Sequence, residues 1–314
     1  GLILLIKGGD WFVDGATGIA KRFNLPDIVV GATVVSIGTT LPEVMVSTTG
    51  ALAGSGAMAY GNAIGSIICN TSLIAAISIV CNPGPVNTKS MKTPAIFFFL
   101  SSAIYCLAAY GMGTFPRWLG FIMLSVFAVY MFLTVRNGLR NPDAASEEEA
   151  EEGKERKLWQ ELLLLVGGAA IIAVGADLLV EHGQIIAIKL GVPETVVALL
   201  FVALGTSLPE LVTTITSLRK GRASLGVGNV IGANIFNLVL VSGVAVTLAP
   251  FDVPVENTLL NTGLNLSLVF DIPVMLLVMS LMIFPALIHK KLDRRQGIAL
   301  LAIYAAFVVC QFVL

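Results

Sequence analysis

Two glutamates stand inside long apolar stretches of the sequence, where an acidic side chain is costly. Glu43 ends the segment SIGTTLPE (36–43), and Glu210 ends the similar segment ALGTSLPE (203–210). An ionised carboxylate in the hydrocarbon core of a bilayer costs about 3 kcal/mol or more unless it is paired or hydrated. Two carboxylates that face each other also repel unless positive charge lies between them. A bound cation is the simplest partner for such a pair.

Hydroxyl, amide and backbone oxygens near each glutamate fit the same chemistry, because hard cations take all of these oxygens as ligands. Residues spaced i, i+3, i+4 and i+7 share one face of a helix. The residues on two such faces are Ser36, Thr39, Thr40 and Glu43, and Ala203, Thr206, Ser207 and Glu210. The next apolar segment of each half adds Ser66, Asn70, Ala233 and Asn237. A competing interpretation is that the hydroxyls bond to carbonyls one turn back, as is common in membrane helices.

Prolines directly before both glutamates should disturb their helices. Pro42 and Pro209 have no backbone N–H, so the carbonyls of Gly38 and Gly205, four residues earlier, lose their helical partner. Proline is a frequent cause of sharp kinks. We therefore expect a kink or a break in each helix, with backbone carbonyls free to bind an ion.

A pair of glycine motifs follows in the next apolar segment of each half. GNAIG (61–65) and GNVIG (228–232) have the spacing that lets two helices approach closely. Taken alone, this spacing indicates helix packing. Here a close approach would also bring Ser66 and Asn70 to the partner helix.

The composition places these motifs in a membrane. Of the 314 residues, 56% are hydrophobic and only 12% are charged, and the mean hydropathy is +0.89. These values exclude an ordinary water-soluble domain. A helix needs about 20 largely apolar residues to cross a bilayer, and about ten such stretches occur. They are 2–20, 27–52, 59–82, 93–111, 116–135, 159–181, 195–218, 225–249, 266–288 and 297–314.

The start of the chain, its net charge and its cysteines add smaller expectations. The first span is short and begins with Gly, so we expect that part of the first helix or of a leader is missing, although the n-region of a secretory signal is not recognisable. The net charge of −1 argues against a nucleic-acid partner. None of the four cysteines has the paired spacing of a zinc or redox motif, which favours packing. They are Cys69, Cys81, Cys106 and Cys310.

The sequence repeats itself with a fixed offset of 167 residues, which relates Glu43 to Glu210. The same offset pairs Asp10 with Asp177, Asn62 with Asn229, Asn70 with Asn237 and Pro83 with Pro250. We therefore divide the chain into a first five-helix repeat (1–135), a charged cytoplasmic linker (136–158) and a second five-helix repeat (159–314). Because five is odd, the second repeat enters the membrane from the opposite side. Inverted repeats are typical of secondary transporters, whose substrate site lies near the bilayer midplane.

The distribution of basic residues predicts the orientation. Alternate loops hold 16 of the 19 Lys and Arg residues, and positive charge is retained in the cytoplasm. This places both chain ends outside and the loop 136–158 inside. Lys7 is one of the remaining three and lies three residues before Asp10, which predicts a local ion pair.

The motifs resemble a known family. GTTLPE and GTSLPE, followed by GNAIGSIICN (61–70) and GNVIGANIFN (228–237), are similar to the two alpha repeats of the cation/calcium exchanger superfamily, in its prokaryotic sodium/calcium exchanger branch. The resemblance implies a ten-helix fold with central calcium and sodium sites. It gives carbonyl-ligand roles to Ser36 and Ala203. It gives side-chain ligand roles to Thr39, Thr40, Glu43, Ser66, Asn70, Thr206, Ser207, Glu210 and Asn237.

Two positions depart from the pattern of some members. Ala233 stands where some have serine, which removes one hydroxyl ligand and weakens one sodium site. Asn237 stands where members similar to potassium-dependent exchangers have aspartate, which argues against potassium dependence here. The central charge is then that of two carboxylates, balanced by one calcium ion or two sodium ions.

The sequence therefore predicts an antiporter of the plasma (inner) membrane that exchanges calcium for sodium by alternating access. Its partners are the two ions and the lipid bilayer, with no prosthetic group and no enzymatic activity. One alternative is a proton-coupled calcium or cation antiporter, since buried glutamates can carry protons. An intramembrane enzyme that uses the glutamates as an acid/base pair is a second alternative. It is disfavoured because no His or Cys lies near either glutamate in sequence. A channel is disfavoured because a two-carboxylate cage binds too tightly for rapid conduction.

Overall fold

A computed structural model of the chain describes residues 1–140, 156–189, 205–254 and 264–313, and within them long helices dominate. Seven of the described helices are long and apolar enough to cross a bilayer. The predicted all-α, multi-pass membrane fold is confirmed at this level. The long helices are α1 (Leu2–Arg22), α2 (Asp27–Leu52), α3 (Gly56–Cys81), α4 (Thr88–Met112), α5 (Arg117–Arg140), α6 (Leu158–Lys189), α7 (Leu208–Arg219), α8 (Ala223–Leu248), α9 (Ser267–His289) and α10 (Arg294–Val313).

Two predicted segments fall partly outside the described residues. The first five residues of the predicted linker 136–158 continue α5, and residues 141–155 are not described. The predicted span 195–218 is described from residue 205 onward, and α7 begins within it at Leu208.

The two proline motifs have different local structures. Pro42 lies inside a continuous α-helical segment, Ser36–Leu52, so the break expected there is not observed. A proline removes one backbone hydrogen bond, and here the helix continues past that loss. Pro209 lies in the first turn of α7, where a missing N–H has no helical partner to lose. The helix interruption is therefore at Ser207, in the second half alone.

Short π-helical turns interrupt several of the described helices. Gly31–Val35 lies in α2 just before Ser36, and Asn70–Ala75 and Asn237–Val241 lie at equivalent places in α3 and α8. Such turns are rare and often mark functional sites, because they displace the helix face by part of a turn. Two of these turns begin at the asparagines predicted as ligands.

Helix α8 is the most buried of the seven described helices that could cross a bilayer, and it packs closely against α2. A Cβ atom added at Gly31 would lie 2.2 Å from the carbonyl oxygen of Leu225, and one at Gly228 would lie 2.3 Å from that of Ile28. The packing role predicted for 228–232 is thus confirmed. A Cβ atom at Gly61 would meet nothing within 4 Å among the described residues. Residues 190–204, which contain the counterparts of the α2 segment at this crossing, lie outside the described ranges.

Helices α1 and α6 form an intimate pair. A Cβ atom on Gly15 of α1 would lie 2.6 Å from the backbone of Glu161 and Leu165, and one on Gly168 of α6 would lie 2.5 Å from the backbone nitrogen of Phe12. Glycines on both helices therefore let the two backbones touch along much of their length.

Four two-residue strands lie in loops between the helices and pair across the two halves. Strand β1 (Gly84–Pro85) pairs antiparallel with β4 (Lys291–Leu292), and β2 (Thr114–Phe115) pairs antiparallel with β3 (Phe251–Asp252). Each pair joins a loop of the first half to a loop of the second half. These pairs hold the two halves together at the ends of the helices.

Candidate functional site

The two central glutamates lie in the interior, on α2 and α7, which pack against each other. Glu43 and Glu210 are both fully buried, and they are close enough to repel each other when charged. In the part of the chain that the structure describes, none of their four carboxylate oxygens has a well-formed hydrogen bond, although the Thr39 hydroxyl lies near the Glu210 carboxylate. A buried carboxylate without a partner is strongly unfavourable unless a positive charge accompanies it.

Most of the other predicted ligands are also buried, on α2, at the start of α7 or on helices that pack against them. Those nearly or fully inaccessible to solvent are Ser36, Thr39, Thr40, Ser66, Asn70, Ser207 and Asn237, and Thr206 is partly buried. Within the described ranges, hydrogen-bond partners are absent for the Thr40 and Ser207 hydroxyls and for both amide atoms of Asn70 and Asn237. Because a native interior leaves few such atoms unpaired, this cluster calls for a ligand. Ala203 lies outside the described residues.

Two further asparagines, absent from the predicted ligand set, organise the site. Asn229 Oδ1 accepts a hydrogen bond from Thr39 Oγ1 at 3.1 Å and from Ser36 Oγ at 3.3 Å. Asn62 Oδ1 accepts from Thr206 Oγ1 and from Ser66 Oγ, both at 3.3 Å. The two threonine–asparagine bonds are equivalent under the sequence repeat, whereas the two serine bonds are not, because Ser36 and Ser66 correspond to Ala203 and Ala233. Each asparagine Oδ1 accepts a hydrogen bond from the threonine hydroxyl of the opposite half, which leaves the lone pairs of that hydroxyl available to an ion.

Asn62 also connects the helices that carry the glutamates. Its Nδ2 donates to Ser47 Oγ at 2.8 Å and to the carbonyl oxygen of Glu43 at 3.4 Å, while its Oδ1 binds Thr206. Asn62 and Asn229 lie within the two glycine motifs, whose spacing by itself indicates helix packing. A polar residue repeated at the same place in two apolar segments is the sequence feature that indicates their role in the site.

The competing interpretation, that the hydroxyls bond to backbone carbonyls of the preceding turn, holds in part. Thr39 Oγ1 lies 3.5 Å from the carbonyl oxygen of Ser36, one turn back, and Ser36 Oγ donates to the carbonyl oxygen of Gly31 at 2.8 Å. Each hydroxyl has one proton to donate, and by distance the Ser36 proton favours the Gly31 carbonyl, whereas the Thr39 proton favours Asn229 Oδ1. Donation does not consume their lone pairs, so these hydrogen bonds and ion binding are compatible.

The donor set favours a hard cation. No group of three or more His, Cys, Asp and Glu side chains occurs among the described residues. The buried cluster instead contains carboxylate, hydroxyl and amide oxygens, which suit sodium or calcium rather than a transition metal. Its formal charge of −2 matches one divalent or two monovalent cations.

Comparison with known proteins agrees with this chemistry. The family model described as "Sodium/calcium exchanger protein" matches residues 1–136 and 161–313. The chain is 34% identical over 304 residues to the uncharacterized membrane protein MJ0091 of Methanocaldococcus jannaschii, covering 97% of this chain and 93% of that protein. It is 29% identical over 347 residues to the sodium/calcium exchanger MaX1 of Methanosarcina acetivorans, covering 99% and 96% of the two chains.

A solved structure of the sodium-calcium exchanger NCX_Mj is similar throughout. The TM-score is 0.78 at 30% sequence identity, and the match covers 98% of this chain and 95% of that one. The relatives with named activities are ion exchangers, not enzymes. The extent of the family match and the shared fold lead to one conclusion: this chain is an integral membrane protein that belongs to the sodium/calcium exchanger family.

Proposed function

We propose that the protein exchanges calcium for sodium by alternating access, at a site between Glu43 and Glu210. The observation that carries the proposal is the pair of fully buried carboxylates without well-formed hydrogen bonds in the described ranges, surrounded by unpartnered amide and hydroxyl oxygens. One Ca²⁺ or two Na⁺ neutralise the pair. The two ions then compete for one set of oxygens. The family and the relative MaX1 carry sodium and calcium in their names, which supports this choice of ions.

Coupling follows from the cost of an empty site. During a change of access the glutamates must pass through a closed, low-dielectric state like the one described here. Unpaired charges in such a state are penalised by several kcal/mol each, on the order of a thousandfold in population. A loaded site avoids that penalty. Only ion-bound protein therefore switches sides at a useful rate.

The contacts between loops support ten spans in two inverted halves. The strand pairs join the loop before α4 to the loop before α10, and the loop before α5 to the loop after α8. The charge alternation predicts that each of these pairs lies on one side of the membrane. The hydrogen bond from Arg222 to Asp27 at 3.2 Å likewise joins two loops predicted to be cytoplasmic. We place residues 136–158 on that same side of the plasma (inner) membrane.

A proton-coupled exchanger remains the rival transport mechanism. Hydroxyl-rich faces around Thr39 and Thr206 favour sodium, because hydroxyl oxygens are ligands for Na⁺ but not carriers of protons at neutral pH. Asn237 is neutral, so the proposed site has only two carboxylates. An aspartate at this position would add a third negative charge, which would need a further cation to balance it.

Imposing one gradient at a time separates these mechanisms. In reconstituted vesicles, we expect an outward sodium gradient at constant pH to drive calcium uptake, and potassium or proton gradients to drive little. Uptake would be measured with radioactive calcium, with protein-free vesicles and a calcium ionophore as controls. Uptake that follows the proton gradient at fixed sodium would contradict the proposal in favour of proton coupling.

Removing the amide acceptors should weaken calcium binding without destroying the site. Asn62→Ala releases the predicted hydroxyl ligands Thr206 and Ser66, and Asn229→Ala releases Thr39, so we expect the apparent calcium affinity to fall about tenfold in each variant. Initial uptake rates at varied calcium concentration give this affinity. A matched control is Asn137→Ala, since Asn137 on α5 also donates to a threonine, Thr93, at 3.1 Å. Equal losses in the control would refute the role of Asn62 and Asn229.

A further inference from the structure

Helix α7 carries a line of buried hydroxyls that extends away from the central site. Thr213, Thr214 and Ser217 follow Glu210 at i+3, i+4 and i+7, so all four side chains share one face. All three hydroxyl residues are at most 2% exposed. Among the residues that the structure describes, none of their hydroxyl oxygens has a hydrogen-bond partner. The line spans about 10 Å along the helix axis.

Within the described part of the first half, the face of α2 that corresponds to this line has no such row of unpartnered hydroxyls. Val46 stands where the second half has Thr213, and Gly50 stands where it has Ser217. Ser47, the counterpart of Thr214, is satisfied by a hydrogen bond from Asn62 Nδ2 at 2.8 Å. A Cβ atom on Gly50 would lie 2.8 Å from the sulfur of Met58, so this face is covered by an apolar side chain. The hydroxyls of α7 are therefore specific to the second half and are not a feature that both repeats share.

An ion pair lies three residues beyond Ser217, at the end of α7. Lys220, just after α7, places its Nζ 2.6 Å from Asp14 Oδ1 and 3.8 Å from Asp10 Oδ1, and donates to the Asp10 carbonyl oxygen at 3.0 Å. Both acidic residues belong to α1. The local Lys7–Asp10 pair expected from the sequence is replaced by this contact, because the packing of α1 on α7 brings Lys220 to Asp10. The contact ties α1 to the end of α7.

We propose that Thr213, Thr214 and Ser217 form an access path between the central site and the side of the membrane that carries Arg219–Arg222, with the Lys220–Asp14 ion pair as its closing latch. The inference rests on the proposed function, because an ion path needs a transported ion. Hydroxyl oxygens replace part of the hydration shell of a cation that moves along the path. The Lys220 ammonium repels cations while it is latched, and its two acidic partners attract them when α1 moves away.

Side-specific labelling tests the path without measuring transport. Thr213→Cys and Ser217→Cys would be treated in oriented vesicles with a membrane-impermeant thiol reagent, and labelled peptides identified by mass spectrometry. We expect reaction from the Arg219–Arg222 side alone. The exposed native Cys81 ends α3, next to a loop predicted on that side, and reports reagent access. Val46→Cys, the first-half counterpart of position 213, should stay unlabelled from that side.

The latch makes a second prediction within the same assay. Lys220→Met breaks a partly exposed ion pair, so labelling of Ser217→Cys should become about threefold faster. Labelling of Ser217→Cys from the opposite side, from both sides equally, or not at all while Cys81 reacts would overturn the path. Unchanged labelling in Lys220→Met would overturn the latch.

Transport kinetics give an independent test. The combined variant Thr213→Val and Ser217→Ala should slow calcium exchange about tenfold, since two hydroxyls are lost to the moving ion, yet leave equilibrium calcium binding unchanged. Thr134→Val is the control, because Thr134 is also a buried threonine but lies on α5, away from the hydroxyls of α7. An equal fall in binding and rate, or an unchanged rate, would contradict the path. Absence of exchange in the wild type would instead refute the proposed function.

Discussion

Sodium-driven calcium uptake should fall to background in vesicles that contain Glu43→Gln or Glu210→Gln. Each substitution keeps the size of the side chain but removes half of the negative charge of the site. Two unit charges about 4 Å apart interact by about 4 kcal/mol at an effective dielectric constant of 20, so the loss of one carboxylate charge beside a divalent ion costs at least that much, or roughly a thousandfold or more in affinity for Ca²⁺. Both variants should fail alike, because each glutamate faces the same ion.

A matched control for this prediction is Glu161→Gln. Glu161 is also a buried glutamate, at the start of α6, but it lies near Arg156 at 4.0 Å and outside the central cluster. This variant should retain exchange within a few-fold of the wild type. Wild-type rates in Glu43→Gln or Glu210→Gln would refute the site, and loss in all three variants would point to a general effect of buried charge.

The second large effect is expected at the two asparagines that begin π-helical turns. In the described part of the chain, both amide atoms of Asn70 and of Asn237 are buried without a partner. Such an atom costs about 1–3 kcal/mol when no ligand satisfies it. Replacing either residue by leucine, which has the same number of side-chain heavy atoms and the same branching at Cγ, should therefore raise the stability of the ion-free protein by about 1 kcal/mol. The same change should reduce calcium exchange by at least about tenfold.

Asn234→Leu provides the contrast for these variants. Asn234 is as buried as Asn237 and lies on the same helix, but its Nδ2 donates to Thr71 Oγ1 at 2.7 Å. Its loss should lower the melting temperature in detergent and leave calcium affinity near that of the wild type. If Asn70→Leu and Asn237→Leu also lower the melting temperature and retain exchange, the two amides are structural and do not serve an ion.

The sequence predicted the membrane class, the family and the residues that gather in the interior. It did so because a glutamate inside an apolar span is costly, and because the same motif occurs twice. The outcome at Pro42 shows the limit of such local rules. The helix runs through this proline, whereas in the second half regular α7 begins only at Leu208. Local sequence is nearly the same at both places, so the difference arises from packing around each segment.

The roles of Asn62 and Asn229 depend on contacts between helices, which the sequence does not specify. Thr39 and Asn229 are separated by 190 residues, and Thr206 and Asn62 by 144. Only the crossing of α2 with α8 brings Ser36 and Thr39 beside Asn229. The contact of Lys220 with Asp10 has the same origin. Lys7 is closer to Asp10 in the sequence, but the packing of α7 on α1 places Lys220 beside it.

The asymmetry between halves is the least predictable feature. Equivalent positions such as Val46 and Thr213 differ by a single substitution, which is easily read as neutral drift of a repeat. The effect of such a substitution depends on what surrounds the position. Met58 covers Gly50 in the first half, whereas hydroxyls without a partner among the described residues line the equivalent face of α7 in the second half. That information comes only from the packed structure.

The central claim, that one cation lies between the two glutamates, is tested most directly by anomalous diffraction from crystals grown with calcium. The account predicts a single strong anomalous peak within about 2.3–2.6 Å of carboxylate oxygens from both Glu43 and Glu210, which weakens as sodium replaces calcium. A calcium peak bound by neither glutamate, or carboxylates turned away from each other in calcium-loaded protein, would contradict it.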